Sequence, residues 1–322
     1  VLKEAVTYFY LSALAYPCIM LFDSCSALFR GMGESRISLA GSVVTCLTNI
    51  VLNAALIYGM GWGVFGAGLA SLLARGFGGG FLLICLGMGE RSVGLRKFAG
   101  LPRESFIVRN IMRLAVPMAL EDGIFHVGKL LVQGVVTSYG TTAIAANAVS
   151  NVITLFSILP GQAICLAVTT VIARCVGAGD YEQAKYYNKK LILLTHIGMA
   201  ITIFIVFITL PFILKVYNLS EAASEATRHI IWFHGFCAIL IWAESFTLPA
   251  TFRACGDAKA CMIISTVSMW IFRVGASYIL GKNLGLGVFG VWVAMIIDWA
   301  FRSLLFGIRY FSGKWKKHAL VS

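Results

Sequence analysis

Charged residues are scarce in this 322-residue chain: they make up 12% of it, against about 25% in ordinary soluble domains. Hydrophobic residues make up 59%, and the mean hydropathy is +0.86. A soluble domain of this length cannot enclose so much apolar surface, whereas the hydrocarbon core of a bilayer accepts it. The composition therefore excludes an ordinary soluble protein and predicts an integral membrane protein.

Several patterns that carry chemistry are also absent. The nine cysteines include no C-x-x-C pair and lie mostly in apolar runs, so we expect packing residues rather than disulfides or metal ligands. There is no G-x-x-x-x-G-K-[S/T] phosphate loop, no H-E-x-x-H and no G-x-S-x-G, which are the patterns of ATPases and two classes of hydrolase. We therefore expect a protein that is not an enzyme and has no cofactor.

Long apolar runs fill most of the sequence. A transmembrane helix needs about 20 mostly apolar residues, and the sequence predicts nine such helices. They cover approximately 6–28, 37–58, 63–87, 111–137, 142–173, 191–214, 229–251, 260–281 and 287–311. The predicted fold class is accordingly all-α, a polytopic membrane protein surrounded by lipid.

The basic residues predict how these helices are oriented. When the nine spans alternate, most of the 26 Lys and Arg residues fall on one side, and such an excess marks the cytoplasmic face. We therefore predict a multi-pass cell-membrane protein with its 89–110 linker and C-terminus in the cytoplasm. This distribution also accounts for the net charge of +12, so we expect no nucleic-acid partner.

For the oligomeric state, we expect a monomer.

Two segments recur in the same order and at nearly the same spacing. Phe29–Arg36 (FRGMGESR) matches Phe252–Lys259 (FRACGDAK), and Gly63–Gly66 (GVFG) recurs at Gly287–Gly290. Both copies occupy equivalent places between predicted helices, which indicates a tandem duplication. The second copy contains six spans and the first only three, so the sequence predicts that three N-terminal helices are absent.

The duplication also predicts the domain organisation. Residues 1–88 form a partial N-terminal lobe, 89–110 a cytoplasmic linker, and 111–322 a six-helix C-terminal lobe. An even number of spans in each half gives both halves the same orientation, and parallel repeats of this kind are found in carriers.

These segments resemble those of the multidrug and toxic compound extrusion (MATE) transporters. FRGMGESR and FRACGDAK are similar to the family's R-G-x-G-[D/N/E]-[T/S]-R loop, and Leu114–Pro117 to its L-x-x-P entry to helix seven. Ala143–Asn147 resembles the A-x-A-A segment, and Val176–Asp180 with Ala184 the turn after helix eight.

The resemblance implies twelve helices in two six-helix lobes (6+6), of which the first three are missing here. It also implies antiport, in which entry of Na⁺ or H⁺ drives export of organic, mostly cationic, compounds. Many members have a cation-binding carboxylate in the first helix, which this chain lacks. Many also have a helix-seven glutamate about eight residues after the proline, where this chain has Phe125.

Ionisable side chains are costly inside a membrane, so each is a candidate functional residue. Asp122, His126, Lys129 and Gln133 follow one another at helical spacing and predict a polar stripe on one helix face, with Glu121 at its edge. The stripe favours a proton relay or a cation site, including Na⁺ at Glu121 and Asp122. The competing interpretation is a neutralised Asp122–Lys129 packing pair.

Two further acids are candidate binding residues. Glu244 lies near Trp232, Trp242 and Phe246 in the sequence, and an acid among aromatic rings suits an organic cation. Asp23 lies in the equivalent span of the first copy. Helix packing is the alternative for Glu244, and a position near the cytoplasmic end is the alternative for Asp23.

A third acid has a simpler interpretation. Asp298 precedes Arg302 by four residues, a spacing that favours a structural ion pair, and Arg273 and Arg75 are expected partners for such acids.

Three functions fit the sequence. The first is a cation-coupled antiporter for drugs and other organic compounds. The second is a flippase of the same superfamily for lipid-linked oligosaccharides, which should have more cavity cations to hold pyrophosphate. The third is a truncated membrane protein that does not transport. The acids beside Lys129 favour the antiporter.

Overall fold

The computed structural model describes residues 2–88 and 105–318, and within these ranges it consists of nine long helices with no strand. They are α1 (Leu2–Met32), α2 (Ser35–Gly59), α3 (Gly63–Gly87), α4 (Ser105–Thr137), α5 (Thr141–Gly177), α6 (Tyr181–Tyr217), α7 (Glu221–Ala254), α8 (Ala258–Asn283) and α9 (Gly287–Phe311). A short 3₁₀ helix follows at Lys314–His318. The prediction of nine helices is confirmed.

Eight of these nine helices are long and apolar enough to cross a membrane, and α4 is the exception. This helix contains Arg109, Arg113, Glu121, Asp122 and Lys129 within its 33 residues. Charges at this density are tolerated in a membrane helix only where they face protein or water, so α4 should turn its charged face away from lipid.

Helices α5 and α6 are longer than the sequence predicts, at 37 residues each. Helix α6 begins ten residues before the predicted span, directly after Asp180, whose side chain accepts a hydrogen bond from the Gln183 backbone N–H at 2.8 Å. Such N-caps start helices regardless of hydrophobicity, which is why the apolar run alone underestimates the length.

Three helices contain π-helical turns. These turns are Ala54–Gly59 in α2, Ala243–Thr247 in α7, and Met269–Gly275 with Ile279–Asn283 in α8. An inserted residue widens the helix locally and shifts the direction of the side chains, and such turns are frequent at functional sites.

The described chain divides into two compact units, Val1–Arg103 and Glu104–Ser322. In the first, α1 packs mainly against α3 around Cys25, Phe29 and Leu82. In the second, α4 to α9 surround several apolar clusters. The division falls inside the predicted 89–110 linker, of which residues 89–104 lie outside the described residues. The predicted lobe boundaries therefore stay a prediction.

The repeated FRxxG segments adopt the same turn in the two units. Gly33 and Gly256 have φ values of 89° and 87°. The backbone N–H of Glu34 donates to Phe29 O, and that of Asp257 to Phe252 O, each at 2.8 Å. This is the helix-ending pattern in which a left-handed glycine lets the next N–H donate to the carbonyl five residues earlier, so the glycine is needed for the turn.

The repeated GVFG segments also share their geometry. A Cβ atom at Gly66 would lie 3.2 Å from the Leu56 carbonyl carbon, and one at Gly290 would lie 2.8 Å from the Leu280 carbonyl carbon. In each unit the helix therefore starts in contact with the backbone at the end of the preceding helix. These matched turns support the predicted duplication.

Candidate functional site

The second unit contains a cavity of about 1040 Å³. Residues of α4, α5, α7, α8 and α9 line it, and five of them have large aromatic rings. The rings that face it are Phe125, Trp242, Phe246, Trp292 and Trp299. Trp242 stacks on Phe246 with ring centroids 5.0 Å apart, and Phe246 meets Trp299 edge-on at 5.4 Å. Such a lining suits the flat apolar body of an organic compound.

The predicted polar stripe of α4 lies on cavity walls. Asp122 and Lys129 line the 1040 Å³ cavity, and Lys129 also lines an adjacent cavity of about 420 Å³ together with His126 and Gln133. All four side chains are exposed within the second unit. The structure therefore brings these residues together around a space where a ligand fits, and it does not pack them into a core.

Glu121 differs from its neighbour Asp122 in its surroundings. Its side chain is 8% exposed, and its Oε1 accepts a hydrogen bond from Arg253 Nη2 at 2.7 Å. Arg253 belongs to the repeated FRACGD segment at the end of α7. Glu121 thus neutralises a half-buried arginine, whereas Asp122 has no ion-pair partner among the described residues and faces the cavity.

A buried cluster of charges lies behind the cavity wall. Asp298 is fully buried, with its Oδ1 3.2 Å from Arg302 Nε and its Oδ2 3.7 Å from Arg273 Nη1. Ser268 Oγ donates a hydrogen bond to Asp298 Oδ1 at 2.5 Å. The predicted pairs of Asp298 with Arg302 and Arg273 are confirmed, and one carboxylate serves two guanidinium groups.

The Phe125 ring lies among three cations. Its centroid is 5.1 Å from Lys129 Nζ, 5.4 Å from Arg273 Cζ and 5.3 Å from Arg302 Cζ. These distances are within the range of cation–π attraction, in which the negative face of the ring stabilises positive charge. An aromatic ring thus takes the place of an acid at the centre of this basic group.

An amide network joins α4 to α5 and α9. Trp292 Nε1 donates to Asn147 Oδ1, and Asn147 Nδ2 donates to Gln133 Oε1, each at 3.1 Å. Asn151 Nδ2 donates to the Asn147 carbonyl at 2.8 Å. The indole N–H can only donate, so it must meet the oxygen of the Asn147 amide. The Asn147 nitrogen then points to Gln133 and must meet the oxygen of the Gln133 amide.

A family model described as MatE matches residues 117–279, just over half of the chain, and this range includes α4 from Pro117 and most of the cavity wall. This chain belongs to the MATE family.

Curated relatives agree with this MATE assignment. The chain is 27% identical over 324 residues to the probable multidrug resistance protein NorM of Thermotoga maritima, covering 99% of the chain and 68% of the relative. It is 24% identical to the probable multidrug resistance protein YoeA of Bacillus subtilis, with 100% and 70% covered.

A solved MATE structure shows the same fold. The outward-facing structure of a multidrug resistance MATE transporter of the MOP superfamily superposes with a TM-score of 0.87 at 20% identity. It covers 97% of this chain and 70% of that one. The predicted family and MATE-type fold are confirmed, and the family consists of transporters rather than enzymes.

Glu244 of this MATE chain does not line either cavity of the second unit described above. Its Oε1 lies 2.9 Å from His196 Nε2, and the other ring nitrogen of His196 lies 2.6 Å from the Ile239 carbonyl. Trp232 stacks on Phe207 with centroids 4.0 Å apart. Glu244 is thus held in a contact between α6 and α7, separate from the residues that share the cavity, and its binding role stays a prediction.

Asp23 is exposed on α1 of the first unit. That unit has its own cavity of about 360 Å³, lined by Asn49, Ser71 and Arg75 among others but not by Asp23. Among the described residues of the MATE chain, no three His, Cys, Asp or Glu side chains converge as a metal site. The predicted roles of Asp23 and of Na⁺ at Glu121 and Asp122 stay predictions.

Sequence reasoning missed the part of the MATE cavity that α9 forms. Trp292, Met295 and Trp299 all line the 1040 Å³ cavity, and their spacing of three and four residues places them on one helix face. This pattern was available in the sequence. The role of Phe125 as the ring between three cations had no such signal, because the cations come from three helices.

Proposed function

We propose that this MATE protein is a cation-coupled antiporter that exports drugs and other organic compounds, mostly cationic, across the cell membrane by alternating access. Related chains are named probable multidrug resistance proteins, and the aromatic cavity has the size and lining that such compounds need. The Lys and Arg distribution supports a cytoplasmic linker and C-terminus.

The observation that carries the proposal is the position of Asp122. It is a carboxylate without an ion-pair partner among the described residues, on the wall of an aromatic cavity. An ionised Asp122 attracts an organic cation beside the rings. When H⁺ or Na⁺ neutralises the carboxylate, that attraction is lost, so the coupling ion and the exported cation compete for one group.

The flippase for lipid-linked oligosaccharides is the second candidate. The specific observation in its favour is that Lys129 and Arg273 line the 420 Å³ cavity, and a pyrophosphate needs cations. Asp122 beside the aromatic rings favours the antiporter, because an acid repels pyrophosphate and attracts an organic cation.

The proposal predicts that Asp122→Asn strongly reduces drug export. The assay uses cells that lack their own efflux pumps and express either the wild type or the variant. The variant's rate of ethidium efflux should be about tenfold or more below that of the wild type, as expected for loss of one charge-assisted contact. Glu225→Gln is the matched control, since Glu225 is exposed on α7 away from the cavity. Both variants are compared at equal amounts in the membrane.

Efflux by Asp122→Asn at the wild-type rate would remove Asp122 from the mechanism. Loss of efflux in Glu225→Gln as well would show that the assay responds to any lost acid.

A further inference from the structure

The 420 Å³ cavity beside the aromatic one is basic. Lys129 and Arg273 line it, His126 is a third potential cation, and none of its lining residues is a carboxylate. Like charges repel at short range, so two cations without a carboxylate disfavour an organic cation in this space. The 1040 Å³ cavity differs because Asp122 lines it beside the same two cations. The cavity of 420 Å³ therefore favours a negatively charged ligand group.

The charges around this cavity leave a positive excess. Asp298 is the acid shared by Arg273 and Arg302, so one negative charge faces two positive ones. No described carboxylate lies within salt-bridge distance of Lys129, whose ammonium group is instead 5.1 Å from the Phe125 ring centroid. An anion placed between Lys129 and Arg273 would complete the neutralisation of this group.

The amide network supplies a hydrogen-bond donor at the same place. Because Trp292 N–H fixes the orientation of Asn147, Gln133 Oε1 must accept the Asn147 N–H. The Gln133 amide nitrogen is then left without a partner in the described part of the chain, on a side chain that lines the cavity. A donor fixed in this way favours an acceptor, such as a carboxylate oxygen, over a cation.

Arg273 is placed by a local irregularity of α8. It lies within the π-helical turn Met269–Gly275, and its carbonyl accepts a hydrogen bond from Ser277 Oγ. Its side chain is 12% exposed, and it lines both the basic and the aromatic cavity. The guanidinium group thus reaches a ligand in either space while Asp298 holds it from behind.

We propose that Lys129, Arg273 and Gln133 form a subsite that binds the carboxylate of an exported aromatic compound. This assignment rests on the proposed export function. It predicts that the exported compounds include amphoteric ones, which have both an amine and a carboxylate. Asp122 and Lys129 are seven residues apart on α4, or about 10 Å along a helix axis. A compound with an amine near Asp122, rings on Phe246 and Trp299, and a carboxylate near Lys129 matches that span.

A matched pair of dyes tests the subsite. Binding to the purified full chain is measured by fluorescence anisotropy with a rhodamine that has a free carboxylate and with its methyl ester, which differ only in the anionic group. The wild type should bind the acid about tenfold more tightly than the ester. Lys129→Met should remove this preference by weakening the acid, while the cationic ester binds as tightly or more tightly because a like charge has been removed. Retained ester binding also shows that the variant is folded.

Two further variants sharpen the test. Gln133→Glu places a negative charge in the subsite. It should lower the affinity for the dye with the free carboxylate, while the ester still binds. Lys189→Met is the control, since Lys189 is an exposed lysine of α6 that lines neither cavity. This variant should still bind the acid dye more tightly than the ester. Equal loss of acid binding in Lys189→Met would mean non-specific charge attraction and would overturn the subsite.

Competitors separate a carboxylate from a phosphate head group. Benzoate should displace the acid dye at lower concentration than inorganic pyrophosphate does; the reverse order would overturn the assignment to organic acids. If the ester binds as tightly as the acid in the wild type, the subsite is wrong while the export proposal stands. If neither dye binds, the subsite is wrong and the export proposal loses its binding cavity too.

Discussion

Neighbouring carboxylates in the second unit have different surroundings, and these surroundings assign them different tasks. Glu121 is 8% exposed and paired with Arg253, whereas Asp122, one residue later, is exposed on the cavity wall. An α-helix rotates about 100° between consecutive residues. Both acids line a small cavity of about 150 Å³, in which Glu121 meets Arg253, but only Asp122 also lines the 1040 Å³ cavity. We therefore expect Glu121 to stabilise the structure and Asp122 to bind ligands.

This difference predicts that Glu121→Gln lowers stability. The change leaves the half-buried guanidinium of Arg253 without its counter-charge, and loss of one partner of such a partly buried pair costs about 1–3 kcal/mol. The Tm of the purified protein in detergent should fall clearly, and Glu225→Gln, at an exposed site of α7, should leave it unchanged. Arg253→Met in the Glu121→Gln background should recover part of the loss, because the unpaired charge is then removed.

An unchanged Tm in Glu121→Gln would show that this ion pair does not hold α4 against α7. A loss confined to transport, with Tm intact, would assign Glu121 to ligand binding instead.

Single-residue roles were predictable from the sequence only where the partners are local. Asp298 and Arg302 are four residues apart on one helix, so their pair follows from helix geometry. Glu121 and Arg253 are 132 positions apart, and Glu244 pairs with His196 across 48 positions. Such contacts depend on how helices pack, which spacing in the sequence does not specify.

At the scale of helices, the repeated turns set where each helix begins. The GVFG segments start α3 and α9 where these helices touch the end of the preceding helix. A side chain at Gly290 would meet the Leu280 and Gly281 backbone at 2.8 to 2.9 Å. Backbone atoms cannot move aside as a flexible side chain can, so this position requires glycine.

The contact predicts opposite effects for two Gly→Ala changes in α9. Gly290→Ala forces α8 and α9 apart and should destabilise the protein by about 1–3 kcal/mol. Gly307→Ala in the same helix meets nothing within 4 Å, and alanine favours a helix over glycine by about 1 kcal/mol. Thermal unfolding should therefore show a lower Tm for the first variant and an equal or higher one for the second. Equal Tm values would contradict the close approach.

The extent of the helices was only partly predictable. Apolar runs identified all nine, because about 20 apolar residues in succession have few alternatives. They did not predict the polar first turns of α6, which continue from the Asp180 cap, or the π-helical turns that place Arg273 and Phe246. An inserted residue in a helix leaves no mark in composition or periodicity.

At the scale of the whole molecule, family and function rest on different observations. The match over residues 117–279 assigns the chain to the MATE family, and the motifs around FRACGDAK were sufficient to predict it. The cavity with Asp122 on its wall is a property of the folded second unit, and no motif contains it. Coupled export is therefore the claim that most needs a direct measurement.

That measurement is dye transport by the purified protein in proteoliposomes. Ethidium is placed at equal concentration on both sides, and a gradient of H⁺ or of Na⁺ is imposed in separate experiments. The account predicts that one of the two gradients drives ethidium to accumulate on the side from which the coupling ion leaves, and that Asp122→Asn abolishes this movement. Ethidium that stays evenly distributed under both gradients, or accumulates equally with Asp122→Asn, would contradict the account.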